Sequence, residues 1–240
     1  MGLTVLRLPH YRGSDQSHGW LLPLPYFVYR GEFLKADREG AHAMLYESGS
    51  VNIDMSLAAS APTRSQDNRA REGMPNLAAT LEFGPKLVAV LAKGADWHLD
   101  FRLPLRAAIS VKSQPKLLGW TSSPNLNLDI RSKGWDIGML TGPMLNNRSF
   151  NGYYYDVPAA FATASRPLYR AAGGYGGWQA TLGASRRDGP LWYGVFVRAD
   201  LLNHSSFDAS PLVRSRSNGS VGVALSWVFA SSSQRVPDDQ

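Results

Sequence analysis

His98, Asp100, Arg102 and Arg106 occupy even positions of the stretch WHLDFRLPLRAAISV, residues 97–111. On a strand, residues two apart share a face, so these four groups would converge. Neighbouring stretches bring Asp54, Glu82, Lys86, Asn127, Asp129, Arg198 and Asp200 at polar positions of the same kind. Inside a closed sheet such groups have two uses. Opposite charges can pair across a narrow interior and fill it, or unmatched ones can line a selective pore or ligand pocket. Both readings stay open at the level of sequence.

Catalysis finds less support. The five histidines are His10, His18, His42, His98 and His204. No Gly-x-Ser-x-Gly elbow accompanies them, and no spacing marks a nucleophile. No two of them fall at the i, i+2 of a strand or the i, i+4 of a helix, as a metal pair would. The chain has no cysteine, which excludes disulfides, thiol nucleophiles and thiolate ligands. The expectation is a protein that is not an enzyme, with no metal and no cofactor.

The elements that position these groups are strands of unusual length. In residues 97–111 every odd position is apolar and most even ones are polar, a period of two that defines a strand with one apolar face. Fifteen residues at ~3.3 Å each span roughly 50 Å, and a tilt of ~40° leaves about 38 Å of height. That crosses the apolar core of a bilayer. Residues 51–61 repeat the pattern, with Val51, Ile53, Met55 and Leu57 opposed to Asn52, Asp54 and Ser56. No run of 18 apolar residues exists, so no membrane-spanning helix is expected.

Along the chain, alternation predicts strands over 1–8, 26–30, 41–46, 51–61, 77–91, 97–111, 118–130, 135–145, 178–185, 191–200 and 221–229. Long loops fall at 62–75, 146–176 and 201–219, and tight turns near 36–40, 47–50, 93–96, 132–134 and 186–189. The count is eleven, whereas bacterial barrels use even numbers. Placing the long loops on one side locates the discrepancy at 9–25, where one strand is missed. The predicted fold is an all-β, transmembrane antiparallel β-barrel of about 12 strands, with 10 as the fallback. It occupies residues 1–230 as a single barrel domain, followed by a polar tail over 231–240. Pro85, Pro104, Pro124 and Pro143 fall inside predicted strands, where proline removes a ladder donor; bulges or strand ends are expected there.

Trp97, Trp120, Trp135, Trp178, Trp192 and Trp227 lie near predicted strand ends, as interfacial anchors would; core packing is the plainer alternative. The run Tyr153–Tyr154–Tyr155–Asp156 sits in the longest loop. It either folds inward, binds a partner, or packs on itself. The net charge of +6 suits either solubility or a basic lumen or rim facing lipopolysaccharide or acidic solutes. No basic run exceeds the pair Arg186–Arg187, and nucleic acid is not an expected partner. No export signal precedes the first strand, so the chain is expected to be a mature or trimmed form.

Several segments resemble the MipA/OmpV family of Gram-negative outer-membrane proteins. They are PHYRGSD at 9–15, LPLPY at 22–26, YRG at 29–31, REGMP at 71–75 and the aromatic-rich last strand. The resemblance covers nearly the whole chain and is most specific at its N-terminal segments. It implies an outer-membrane barrel embedded among lipid and lipopolysaccharide. It also implies a scaffold that bridges a murein lytic transglycosylase to a penicillin-binding protein. Some members are linked instead to passage of solutes or antibiotics, and to adhesion. The family supplies no catalytic residues. Many such barrels end on their last aromatic, whereas eleven residues follow Phe229 here.

Overall fold

The computed structural model describes residues 1–24, 29–30, 34–37, 40–48 and 51–229. Among them, fourteen strand segments form one sheet. They are β1 (Gly2–Pro9), β2 (Ser17–Leu24), β3 (Tyr29–Arg30), β4 (Leu34–Asp37), β5 (Gly40–Ser48), β6 (Val51–Ser60) and β7 (Thr80–Lys93). The remainder are β8 (Trp97–Ser110), β9 (Leu117–Ser122), β10 (Asn125–Ser132), β11 (Trp135–Asn146), β12 (Gly174–Asp188), β13 (Leu191–Leu201) and β14 (Ser217–Trp227). One helix, α1 (Arg148–Tyr155), follows β11.

The sheet order is β2-β1-β14-β13-β12-β11-β10-β8-β7-β6-β5-β4-β3. Every pairing is antiparallel, including that of β1 with β14. β9 and β10 share one position, because both pair β8 and β11. The described pairings run from β2 to β3 as one continuous antiparallel sheet, consistent with a barrel.

The alternation predicted for 97–111 is present in three dimensions. Leu103 and Leu105 are exposed on the outer face, while Asp100, Pro104 and Ser110 are buried on the inner one. Val195, Val197, Val221, Val223, Leu225, Leu57 and Leu182 continue the outer apolar belt. Exposed aliphatics on this scale would be an aggregation hazard in water. In lipid they are the supporting surface. Among the described residues no helix is long and apolar enough to cross a membrane.

Three of the sheet's irregularities fall beside prolines. Between β7 and β8 the register runs to Phe83↔Ala107 and resumes at Lys86↔Pro104, skipping the rungs beside Pro85. Ser123 and Pro124 separate β9 from β10, so the single strand expected over 118–130 is two. Pro143 precedes a register shift at Met144/Leu145. Each proline withdraws a donor where the ladder already breaks.

Two segments were not expected: β4, which overlaps the turn predicted at 36–40, and β2, within the stretch 9–25. The β2 sequence SHGWLLPL does not alternate, and Leu21 and Leu22 are both exposed. The predicted loop 146–176 is not structureless: it holds α1 and a 3₁₀ turn at Ala159–Phe161. Residues 231–240, Tyr26–Val28 of the predicted second strand, and parts of the turns at 36–40 and 47–50 lie outside the described residues.

Candidate functional site

The long connections, 10–16, 61–79, 147–173 and 202–216, all leave the same end of the sheet. The other end carries tight turns at Gly94–Asp96, Lys133–Gly134 and Gly189–Pro190. The inner-face side chains form two layers between these ends, closed above by the loops.

The layer near the tight turns is a charge network. Arg102 Nη2 donates to Asp100 Oδ2 at 3.0 Å and to Asp129 Oδ2 at 3.4 Å. Asn127 Nδ2 donates to Asp129 at 2.5 Å. His98 Nε2 lies 3.1 Å from Asp129 and 3.6 Å from Asp100. Lys86 and Asp54 form a separate pair at 3.5 Å. The ligand atoms of His98, Asp100 and Asp129 fall within 4.8 Å of one another, a cross-strand grouping that spacing within one strand could not reveal. Arg102 already bridges both carboxylates, so the cation held there is a guanidinium.

The layer below the loops contains Glu82, Arg106, Arg198 and Asp200. Arg198 donates to Asp200 at 2.7 Å and to Gln179 Oε1 at 2.8 Å. Asp200 also receives Arg12, from the loop after β1, at 3.7 Å. Arg106 Nε donates to Ser56 at 2.9 Å. Glu82 interacts through space with Arg12, Arg106 and Arg198. By strand register the eleven polar positions named from the sequence share one face of the sheet, in two groups rather than one.

The loops above form a plug with its own core. Tyr11, Leu77, Met144, Tyr155, Ala171, Leu202 and Phe207 are buried together, beside a smaller cluster of Met74, Val157 and Leu212. Tyr155 stacks on Phe207 with ring centroids 3.8 Å apart and planes 7° apart. Its hydroxyl donates to Arg12 O at 2.9 Å. Tyr11 donates to Leu212 O at 2.7 Å, and Tyr153 accepts from Ala78 N at 2.7 Å. Burial raises the pKa of all three phenols above the ordinary tyrosine value, so they stay neutral. The tyrosine run thus folds inward and ties three loops together.

α1 is seated by its first turn. The Asn147 side chain caps it, accepting from Phe150 N at 3.0 Å, and accepts also from Trp120 N at 3.1 Å. A Cβ at Gly119 of β9 would collide with this turn. Arg71 crosses to the helix: its Nη1 donates to Tyr154 O at 2.8 Å, and its guanidinium lies 5.8 Å from the Tyr11 ring centroid. Burial lowers its pKa. Gly13 adopts φ +95°, which glycine tolerates at little cost, and its N–H reaches Asn218 Oδ1 at 2.6 Å. Tyr11, Gly13 and Arg71 belong to the segments that carry the family resemblance, and that is the only signal that could have marked them.

The tryptophans form two levels. Trp97, Trp135 and Trp227 lie on the outer face beside the tight turns, and Trp120 and Trp178 on the outer face near the loops. Trp135 makes an edge contact with Tyr193 at 5.6 Å. Trp192 departs from the expectation of an interfacial anchor. It has the parity of Arg198 and Asp200, and its ring lies over Gly194 on the inner face.

An outer apolar belt, two aromatic levels and a loop-plugged interior describe a membrane barrel, and comparison with known proteins agrees. The family model described as "MltA-interacting protein MipA" matches residues 1–229. The chain belongs to the MipA family. It is also 25% identical over 232 residues to a protein of Vibrio anguillarum named "Outer membrane protein Omp26La". That match covers 91% of this chain and 81% of the relative. This MipA-family chain is an outer-membrane protein, and its strands rather than helices face the lipid.

Proposed function

We propose that this chain is a closed, non-catalytic barrel that serves as a docking scaffold for murein-remodelling enzymes. The partners are a murein lytic transglycosylase and, through it, a penicillin-binding protein. The plug carries this reading. Two buried clusters and hydrogen bonds linking four connections hold the loops shut, and most of the inner charges below them are paired. A barrel filled in this way suits anchoring better than transport. Outer-membrane barrels place short turns on the periplasmic side and long loops outside. The tight-turn end, with Lys93, Arg131, Lys133, Arg186 and Arg187, is then the face offered to periplasmic enzymes. Lipid and lipopolysaccharide surround the apolar belt.

A small-solute or antibiotic channel is the competing function, favoured by the three arginines that face the interior beneath the plug. One pair of measurements separates them. The purified protein in planar bilayers is expected to be electrically silent, and cross-linking from Lys133 in envelopes is expected to capture a murein transglycosylase. Stepwise conductance lost on neutralising Arg106, with no captured enzyme, would establish the channel instead.

A further inference from the structure

The wall has a polar cleft where its first and last strands separate. β1 and β14 pair from Gly2↔Ser226 to Arg7↔Val221 and no further. Above that rung β1 continues with β2 alone, and β14 with β13 alone. Loop contacts bridge the gap, with Asn218 donating to Ser14 O at 2.7 Å and accepting from Gly13 N. The opening is a cleft of about 470 Å³ whose lining includes Arg7, Ser17, Ser217, Gly219 and Arg198.

Three features define what it accepts. Arg7 projects outward with the parity of Leu3 and Val5. Its Nε donates to Ser17 Oγ at 3.0 Å, and among the described residues no carboxylate pairs with it. Asp15, the acidic group on the cleft, is already paired with Arg69 at 3.1 Å. Directly below the cleft the outer wall is apolar: Val5 and Leu3 on β1, Val221, Val223 and Leu225 on β14, and Val195 and Val197 on β13, all exposed. A cationic, hydroxyl-lined notch above an aliphatic wall matches an anionic headgroup above acyl chains.

We infer that this cleft binds the phosphate headgroup of a phosphorylated glycolipid in the outer leaflet, with the acyl chains lying along β13, β14 and β1. The inference rests on the membrane orientation proposed above, with the loops outermost, but not on docking or on a silent lumen. Arg7 and the serine hydroxyls supply charge-assisted hydrogen bonds to phosphate oxygens. Arg198 lines the inner end of the cleft, held by Asp200 and Gln179.

Native mass spectrometry of the full chain in detergent tests this. The probes are bisphosphorylated lipid A, phosphatidylcholine and inorganic phosphate. One lipid A per barrel is expected to be retained, phosphatidylcholine is not, and millimolar phosphate does not displace the lipid. Arg7→Gln lowers retention about fivefold, as expected for one arginine near an anionic lipid surface. Gly219→Phe lowers it as well by filling the cleft, since a Cβ at Gly219 meets no atom within 4 Å and the fold has room for it. Arg131→Gln, at the opposite rim, leaves retention unchanged. Wild-type retention in both cleft variants would overturn the assignment. So would equal retention of phosphatidylcholine, or complete displacement by inorganic phosphate, which would mark a free-anion site. The readout involves neither a murein enzyme nor conductance, so it can fail while docking stands, and the reverse.

Discussion

Tyr155→Ala is the most direct test of the plug. In the folded chain the ring is buried, stacked on Phe207, and its hydroxyl holds the Arg12 carbonyl. Truncating a buried aromatic to alanine costs about 3–5 kcal/mol. The barrel wall does not depend on this side chain, so the loss falls on the loops. At ~1.4 kcal/mol per tenfold, the open population of the plug rises by about a hundred- to several-thousand-fold. Tyr155→Phe keeps the stack and loses the hydrogen bond, about 1 kcal/mol or roughly fivefold. Arg71 provides the assay. It is 3% exposed in the closed plug, so trypsin can cut after it only when the loops open. When reclosing outpaces cleavage, the rate reports the open population. Both variants should remain heat-modifiable in detergent, and cleavage at Arg71 should rank alanine far above phenylalanine and phenylalanine above wild type. If Tyr155→Ala is cut within about threefold of the wild-type rate while its barrel stays folded, the loops are not held by this core.

Other outcomes follow from the same structure. His10 accepts from Asn68 Nδ2 at Nδ1, and burial followed by His18 lowers its pKa from 6.5 against the pull of Asp67 and Asp15. Its neutral form is the folded one. As pH falls through 6.5 the unfolded loops take the proton first, so plug stability declines until the lowered folded value is passed. Hydrogen-exchange protection over residues 62–76, corrected for the slower intrinsic exchange at lower pH, should fall between pH 7.5 and 5.5, and much less so in His10→Gln. Arg102→Ala leaves buried Asp100 facing Asp129 without the bridging cation. It should cost about 3–5 kcal/mol, visible as a lower denaturant midpoint for the heat-modifiable form. Leu103→Arg on the outer face of β8 should cost about 2–4 kcal/mol if that face meets lipid near the midplane. Refolding into bilayers reads it, and an unchanged midpoint would count against a lipid-facing wall.

Much of the wall was legible because a half-buried strand writes its environment into every second residue. Leu103, Leu105, Asp100 and Arg106 declare their faces without any tertiary knowledge. β2 was not legible, since Leu21 and Leu22 break the period where the strand nears the rim. The two-layer grouping of the inner charges was also hidden: parity says which side a residue faces, but only cross-strand register brings His98 opposite Asp129. Trp192 was misplaced because its type suggested an anchor while its parity, readable from Val195 and Val197, pointed inward. The plug was the least visible part. Tyr11, Arg71, Tyr155 and Phe207 come from four separate connections, and no local periodicity records that they meet.

The seam between β1 and β14 also bears on how the protein is made. Gly2 pairs with Ser226, so one edge of β1 waits for a strand far along the chain. Until β14 arrives, β1 offers a row of open donors and acceptors beside a strip of aliphatic side chains, a template for pairing with the wrong chain. Contacts so distant in sequence form slowly. Biogenesis is therefore most vulnerable just before closure, and defects in β14 should appear first as lost yield and aggregation in the periplasm rather than as a weakened mature barrel.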